Sequence, residues 1–344
     1  MSDLLETDEQ AGTLVLENIV KRFSVGERSI TALDHVSFRI ESGAVTGLIG
    51  PDGAGKSTIL RLAAGLLRPD EGRISVLDVD VVKHPLDVQA TIGYMPQRFG
   101  LYQDLTVQEN LDLYADLQGL AAAERESRYQ ALMHMTGLGP FTKRSAGALS
   151  GGMKQKLGLA CTLIRPPRLL MLDEPTTGVD PVSRRELWEI VYHLVEDEGL
   201  SVLLSTAYLD EAERCRQVIL MHRGRLLGEG APTDFSQGLQ GRVFHIATPA
   251  GEKRALQQRL LVTQGVLDAV VHGPGVRLVV DKQAAADRFE WLPTRYRDSI
   301  EKTDPRFEDG FIVRLRGEAD TRSPGSMEIS MTRTQAAHDD AIIR

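Results

Sequence analysis

The sequence predicts an α/β fold built around a parallel sheet, and three observations predict it. Short apolar runs, AVTGLIG at 44–50, RLLMLDEP at 168–175 and LSVLLST at 200–206, each end in a polar turn and lead into a helical pattern. Strands buried on both faces read as continuous apolar runs, and their alternation with helices implies parallel pairing. Residues 13–40 behave differently: VLENIVKRF and ALDHVSFRI alternate in polarity, which predicts an antiparallel layer ahead of the parallel sheet. Residues 98–165 carry helical periodicity and almost no strand signal, which predicts a helical insert.

Within that insert, Thr106 and Glu109 have capping-box spacing, and Val107, Leu111, Tyr114 and Leu117 then share one helical face. Those apolar residues are expected to pack in a core. Further on, VILMHRGRLLGEG predicts a hairpin turning around Arg223 to Arg225. Near residue 240 the composition shifts. GRVFHIATP, GVLDAVV and GVRLVVD read as strands, ALQQRLLV as a helix, and another helix starts near Pro305. The expected organisation is an N-terminal tail over 1–12, a main domain over 13–238, a small α+β domain over 239–316 and a flexible tail over 317–344.

With 344 residues, 42% hydrophobic and 26% charged, the chain has the composition of a globular protein able to bury a real core. Its net charge of −8 argues against a nucleic-acid surface, which depends on clustered Lys and Arg. Cys161 and Cys215, the two cysteines, lie in helix-like patterns without metal-ligand spacing, and a reducing cytoplasmic compartment fits them. The acidic start MSDLLETDEQ is unlike a signal peptide, and no run reaches the roughly 18 apolar residues of a membrane span. Work at a membrane therefore calls for another protein as anchor.

The chemistry is carried by a small set of residues. Gly50, Pro51, Asp52, Gly53, Ala54, Gly55, Lys56, Ser57 and Thr58 satisfy the glycine-rich pattern G-x-x-x-x-G-K-[ST] between a strand and a helix. Successive backbone N–H groups of such a loop turn toward one centre, and the following helix adds its positive end, so a polyphosphate such as that of ATP is favoured. Lys56 is then placed for the β- and γ-phosphates, Ser57 for Mg²⁺, and Thr58 to support the loop. A second apolar strand finishes in Asp173 and Glu174, the first directed at Mg²⁺ and the second at the attacking water as its base.

LSGGMKQ at 149–155 makes a second anion site, since Ser150 caps a helix whose first N–H groups Gly151 and Gly152 leave open. One polyphosphate does not need two such ends. The second is expected to serve a nucleotide held by another subunit.

In this order GPDGAGKST, Gln97 in GYMPQ, LSGGMKQ, LLMLDEP and Gly178-Val179-Asp180 resemble the ABC ATPase family over about residues 13–235. The resemblance implies a P-loop NTPase fold of the ABC type with antiparallel β layer, helical subdomain and small α+β appendage. It also implies ATP hydrolysis with Mg²⁺. Phe23 looks like the aromatic that stacks on adenine, Gln97 like the lid residue that senses Mg²⁺ and faces a permease, and Gly178 to Asp180 like a segment crossing a dimer interface. The implied partners are integral membrane permease subunits and a second ABC ATPase, as homodimer or heterodimer, at the cytoplasmic face of the membrane. Leu101 to Leu105 is a place for permease contact.

Within the family, GYMPQRFGLYQDLTVQENLDLYADL, LSGGMKQKLGLACTL, TTGVDPVSRRELW and PRFEDGFI resemble bacterial export ATPases of the multidrug type. Some such relatives join two ATPase units in one chain; a single unit here points to a second subunit. One departure matters. The family usually has a histidine after the strand that follows the carboxylates, where this chain reads LLSTAYLDEAE with Ala207. A methyl group donates no hydrogen bond to a phosphate, which leaves two readings: this chain's own site hydrolyses slowly and the chain completes a partner's, or a neighbouring group or water substitutes and nothing is lost. His222 and His245 lie in strand-like segments and read as structural or solvated. Two rival classes, a ribosome- or DNA-associated ABC protein and a regulatory nucleotide-binding module that does not hydrolyse, fit the acidic charge, the short spacing from Lys56 to Ser150 and the presence of Glu174 less well.

Overall fold

The computed structural model describes residues 13–26, 28–98, 100–286 and 289–320, which divide into two units. The expected tail over 1–12 lies outside these residues, as does the chain beyond 320. The first unit comprises the described residues up to Gln240, together with Pro305–Gly310.

Its chain opens with β1 (Leu14–Val25) and β2 (Arg28–Ile40), a long antiparallel pair. It continues through β3 (Val45–Ile49), α1 (Lys56–Ala63), β4 (Glu71–Val76), β5 (Val79–Asp80), α2 (Pro85–Gln89) and β6 (Ile92–Met95). Three helices follow, α3 (Val107–Leu117), α4 (Ala122–Thr136) and α5 (Gly151–Thr162). Then come β7 (Leu169–Asp173), α6 (Pro181–Glu196), β8 (Ser201–Thr206), α7 (Leu209–Ala212), β9 (Gln217–His222), β10 (Arg225–Gly230) and α8 (Pro232–Gln237).

Two sheets result. The antiparallel layer has the order β2-β1-β4-β5, and the larger sheet the order β10-β9-β3-β8-β7-β6, parallel except for the β9–β10 hairpin. All residues of β3, β7 and β8 are buried, as their unbroken apolar runs require. One core joins the layers: Leu14, Ile19, Leu33 and Val36 pack in the same cluster as Ile59 and Leu60 of α1 and as Leu48, Met171, Leu203 and Ile219 of the large sheet. Each such fully buried aliphatic side chain contributes about 1.5–3 kcal/mol. The start of α1 is thereby fixed at the carboxyl ends of β3, β7 and β8, where ligands of open α/β sheets bind.

The helical region begins with the expected capping box. Thr106 accepts the Glu109 N–H, and Glu109 accepts that of Thr106, which also holds the Glu109 carboxyl below its usual range. The buried face of α3 departs from expectation. Val107 and Leu111 are buried, but Leu117 is 71% exposed, and Asn110 and Ala115 complete the inner face. Leu117 is the last helical residue, and beyond it Gln118 turns inward to donate to the Cys161 carbonyl and accept the Arg165 N–H. Cys215 is also not helical: it follows α7 in a turn and donates to the Glu211 carbonyl. Strands β4, β5 and β6 have no counterpart in the sequence reading.

The second unit holds β11 (Val243–Ala247), α9 (Lys253–Leu261), β12 (Val266–His272), β13 (Gly275–Val280), α10 (Lys282–Ala286), α11 (Thr294–Arg297) and β14 (Ile300–Lys302). Its antiparallel sheet has the order β12-β13-β11-β14, a β-α-β-β-α-β arrangement. Phe244, Ile246, Leu278 and Val280 pack with Leu256 and Leu260 of α9. A last helix, α12 (Phe307–Asp320), begins two residues after Pro305 and runs three residues past the point where a flexible tail was expected to start. Its Phe307, which belongs to the first unit, meets the ring of Phe235 edge-on at 5.4 Å.

Candidate functional site

The glycine-rich loop spans the end of β3 and the start of α1. Gly50 leaves β3 so close to the neighbouring strand that a Cβ there would lie 2.3 Å from the Met221 carbonyl oxygen, a distance no side chain tolerates. Gly55 caps α1 with φ +104, open to glycine and strained for other residues, and a Cβ on it would lie 2.9 Å from the Ala32 carbonyl oxygen of β2. Both sheets therefore press on the loop. Its backbone can approach a phosphate because these positions carry no side chain.

Lys56 is buried, 4% exposed, and its ammonium is held by carbonyl oxygens of the loop, Gly50 at 2.7 Å and Pro51 at 3.2 Å. Glu174 Oε1 completes the set at 3.2 Å. Ser57 Oγ donates to Asp173 Oδ1 at 3.0 Å. Thus the loop and the two carboxylates, read from segments more than a hundred residues apart, form one site.

Glu174 occupies a non-glycine position at φ 50, a conformation costing about 1 kcal/mol or more that must be fixed by its surroundings. Those surroundings are visible. Its N–H donates to Ser205 Oγ at 3.0 Å, its Oε1 faces Lys56, and its Oε2 accepts from Gln97 Nε2 at 2.8 Å and from Thr177 Oγ1 at 3.3 Å. Ser205 in turn donates to Asp173 Oδ1 at 2.7 Å. One hydroxyl of β8 so orients Asp173 at the end of β7 and Glu174 just after it. Sequence reasoning missed Ser205 and Thr177; the only available signal for Ser205 was a polar residue inside the apolar run LSVLLST.

The remaining residues fall in three places. Gln97, just past β6, joins the site through Glu174. Phe23 lies on β1, opposite Ile30 and 36% exposed, with the Lys21 ammonium 5.5 Å from its ring centroid. It shares the antiparallel layer that touches Gly55, and among the described residues no hydrogen bond ties it to the loop. Ser150 caps α5 by accepting the Met153 N–H at 3.3 Å. Among the described residues no hydrogen bond or ion pair links Ser150, Gly151 or Gly152 to the loop; their neighbours are Gly178 and Ser183. Ala207 directly follows β8 and is exposed, and His222 and His245 lie in β9 and β11.

This donor set suits ATP with Mg²⁺. The loop offers N–H groups and one ammonium to an anion, while Ser57 and Asp173 offer two hard oxygens side by side. No group of three or more His, Cys, Asp or Glu side chains arranged for a metal occurs among the described residues. Mg²⁺ asks for no such cage, because it keeps waters and takes one or two carboxylates together with phosphate oxygens.

A protein-family model described as ABC transporter matches residues 33–177. The chain is 38% identical over 242 residues to the daunorubicin/doxorubicin resistance ATP-binding protein DrrA of Streptomyces peucetius, covering 70% of this chain and 72% of that protein. The chain belongs to the ABC transporter family. It is 48% identical over 312 residues to the "Probable multidrug ABC transporter ATP-binding protein YbhF" of Escherichia coli (strain K12), covering 90% of this chain. It spans about half of that relative, 53% of its length. Among solved structures it resembles the ATP-binding cassette MJ0796, described as dimeric and in a post-hydrolysis state bound to ADP and Pi, with TM-score 0.59 and 26% identity. That match covers 63% of this chain and 98% of the cassette. The P-loop α/β cassette with its antiparallel layer is thus the family's fold.

Proposed function

We propose that this chain is the ATP-binding and ATP-hydrolysing subunit of an ABC exporter, working as a dimer at the cytoplasmic face of the cell membrane and driving membrane permease subunits. The observation that carries the reading is the convergence of Lys56, Gln97 and Ser205 on Glu174, with Ser57 bonded to Asp173 beside it. A carboxylate held on both oxygens next to an ammonium and a hydroxyl–carboxylate pair is equipped for phosphoryl transfer to water.

In this reading the Gly50–Gly55 N–H groups and the start of α1 bind the polyphosphate, and Lys56 neutralises its terminal charge. Ser57 and Asp173 would hold Mg²⁺, which would supply Lewis-acid stabilisation of the negative charge that develops on the phosphate. Glu174 accepts the proton of the attacking water as the bond from water oxygen to the γ-phosphorus forms and the bond to the ADP oxygen breaks. Gln97 and Thr177 keep its Oε2 aimed. Phe23 stacks on the adenine.

Dimer formation is supported by the Ser150 helix end, which among the described residues makes no hydrogen bond or ion pair to the chain's own loop and so is left for a partner's nucleotide. The permease is supported by apolar side chains left on the surface. Tyr102 is 58% exposed, and Leu86, 75% exposed, and Leu117 line a cavity of about 380 Å³ with Tyr114. No helix among the described residues is long and apolar enough to cross a membrane. Export is favoured by the multidrug and drug-resistance names of the relatives.

The dimer is tested by Glu174→Gln, which keeps the shape of the side chain and removes the base. With ATP and Mg²⁺ this variant is expected to elute from size exclusion as a dimer and without nucleotide as a monomer. A monomer under both conditions contradicts the head-to-tail arrangement.

A further inference from the structure

Three segments meet on the first half of α6. Its N-cap, Asp180, accepts the N–H groups of Val182 and Ser183 at 3.1 and 3.0 Å, which fastens the Gly178–Asp180 turn to the helix. From the side of α5, a Cβ on Gly152 would lie 2.2 Å from Ser183 Oγ, and Lys156 pairs with Glu186 at 2.9 Å. The helix headed by Ser150 is thereby packed against α6 without a gap. Arg184 reaches toward the third segment, the stretch that follows β8.

The Arg184 guanidinium lies 4.3 Å from the centroid of the Tyr208 ring, within cation–π range. Its Nη1 donates to Asp210 Oδ2 at 3.4 Å, and its Nε stands 3.7 Å from Glu211 Oε1. Glu211 is fully buried, and its Oε1 also accepts from Trp188 Nε1 at 3.4 Å. A buried carboxylate needs a compensating cation, and Arg184 is its ion-pair partner. Arg184 thus reaches Tyr208, Asp210 and Glu211 together, and Trp188 adds a second tie from α6 to Glu211. Their segment begins at Ala207, directly after Ser205 and Thr206 of β8. Ser205 holds Asp173 and Glu174, and Thr206 accepts the Gly50 N–H at 3.3 Å. Ala207 carries no side chain able to anchor itself.

We infer that Arg184 is a positioning residue: by clamping Tyr208, Asp210 and Glu211 it sets where the Ala207–Tyr208 backbone stands beside Glu174, and through α6 it ties that position to the Ser150–Gly152 helix end. The inference rests on the hydrolytic reading above. The planar guanidinium is suited to stack and pair at once, which a lysine ammonium is not.

The test uses the full chain with Tyr208→Leu, which removes the stacked ring and leaves the Arg184–Glu211 pair intact, Tyr208→Phe, which keeps the ring, and Arg184→Lys. Amide exchange across 207–211 and steady-state turnover are read together with binding of a non-hydrolysable ATP analogue. Tyr208→Leu and Arg184→Lys are expected to exchange about fivefold faster in this stretch alone. Their kcat is expected to fall about tenfold with analogue affinity within about twofold of wild type, while Tyr208→Phe behaves as wild type. Unchanged exchange in both variants overturns the inference, as does loss of analogue binding that matches the loss of kcat, or a Tyr208→Phe variant as impaired as Tyr208→Leu. A wild-type chain that turns over no faster than Glu174→Gln contradicts the proposed function instead, and the exchange measurement then decides the role of Arg184 by itself.

Discussion

Lys56 and Glu174 form an ion pair of 3.2 Å in which both side chains are buried. The two are 118 positions apart in the chain and come from the head of α1 and the residue just after β7. Breaking such a pair leaves a charge without compensation, a loss of about 3–5 kcal/mol. Lys56→Ala is therefore expected to lower the unfolding free energy in that range and to abolish ATP binding. Denaturant titration and nucleotide binding check both; a variant of wild-type stability contradicts the pair's role.

The loop's fit depends on Gly50. In Gly50→Ala the new methyl meets the Met221 carbonyl oxygen, and the backbone of β3 or β9 must shift. Overpacking of this kind costs about 1–3 kcal/mol. Thermal unfolding is expected to fall accordingly, with nucleotide affinity reduced more than in an Ala substitution at exposed Gly53.

Ala207 stands where the chain offers no donor. Ala207→His places an imidazole directly after β8, two residues beyond Ser205, and a gained donor to a transferring phosphoryl group is expected to raise kcat by about tenfold or more. Turnover that is already full and does not respond to this change contradicts a weak site in this chain.

Both thiols are protected. Burial pushes the Cys161 thiol up, and burial together with nearby Glu211 pushes Cys215 up to about 12. Since the thiolate is the reactive form, neither is available at pH 8 while the chain is folded. A thiol reagent is expected to label no cysteine in native protein and two in denatured protein; fast labelling of the native chain contradicts the packing of α5 and of the turn after α7.

What could be read from sequence was local. Gly50–Thr58, Asp173–Glu174 and Ser150–Gly152 each announce their chemistry within a few residues, because backbone N–H groups at a helix end and carboxylates at a strand end need no distant partner to be recognisable. Parallel strands β3, β7 and β8 were legible for the same reason. The rest depends on tertiary contact. Leu117 fits a helical face by spacing, yet sits on the surface because Gln118 takes the inward bonds. Ser205 matters only through register, as the residue of β8 opposite Asp173. Arg184 and Tyr208, 24 positions apart, carry no joint signal in the sequence.

The central claim is ATP hydrolysis at a site whose base is Glu174, and steady-state phosphate release from the purified chain with ATP and Mg²⁺ tests it most directly. Wild type is expected to release phosphate and Glu174→Gln to lose about 10²–10⁴-fold of that rate while still binding ATP. Equal release by the two proteins contradicts the account.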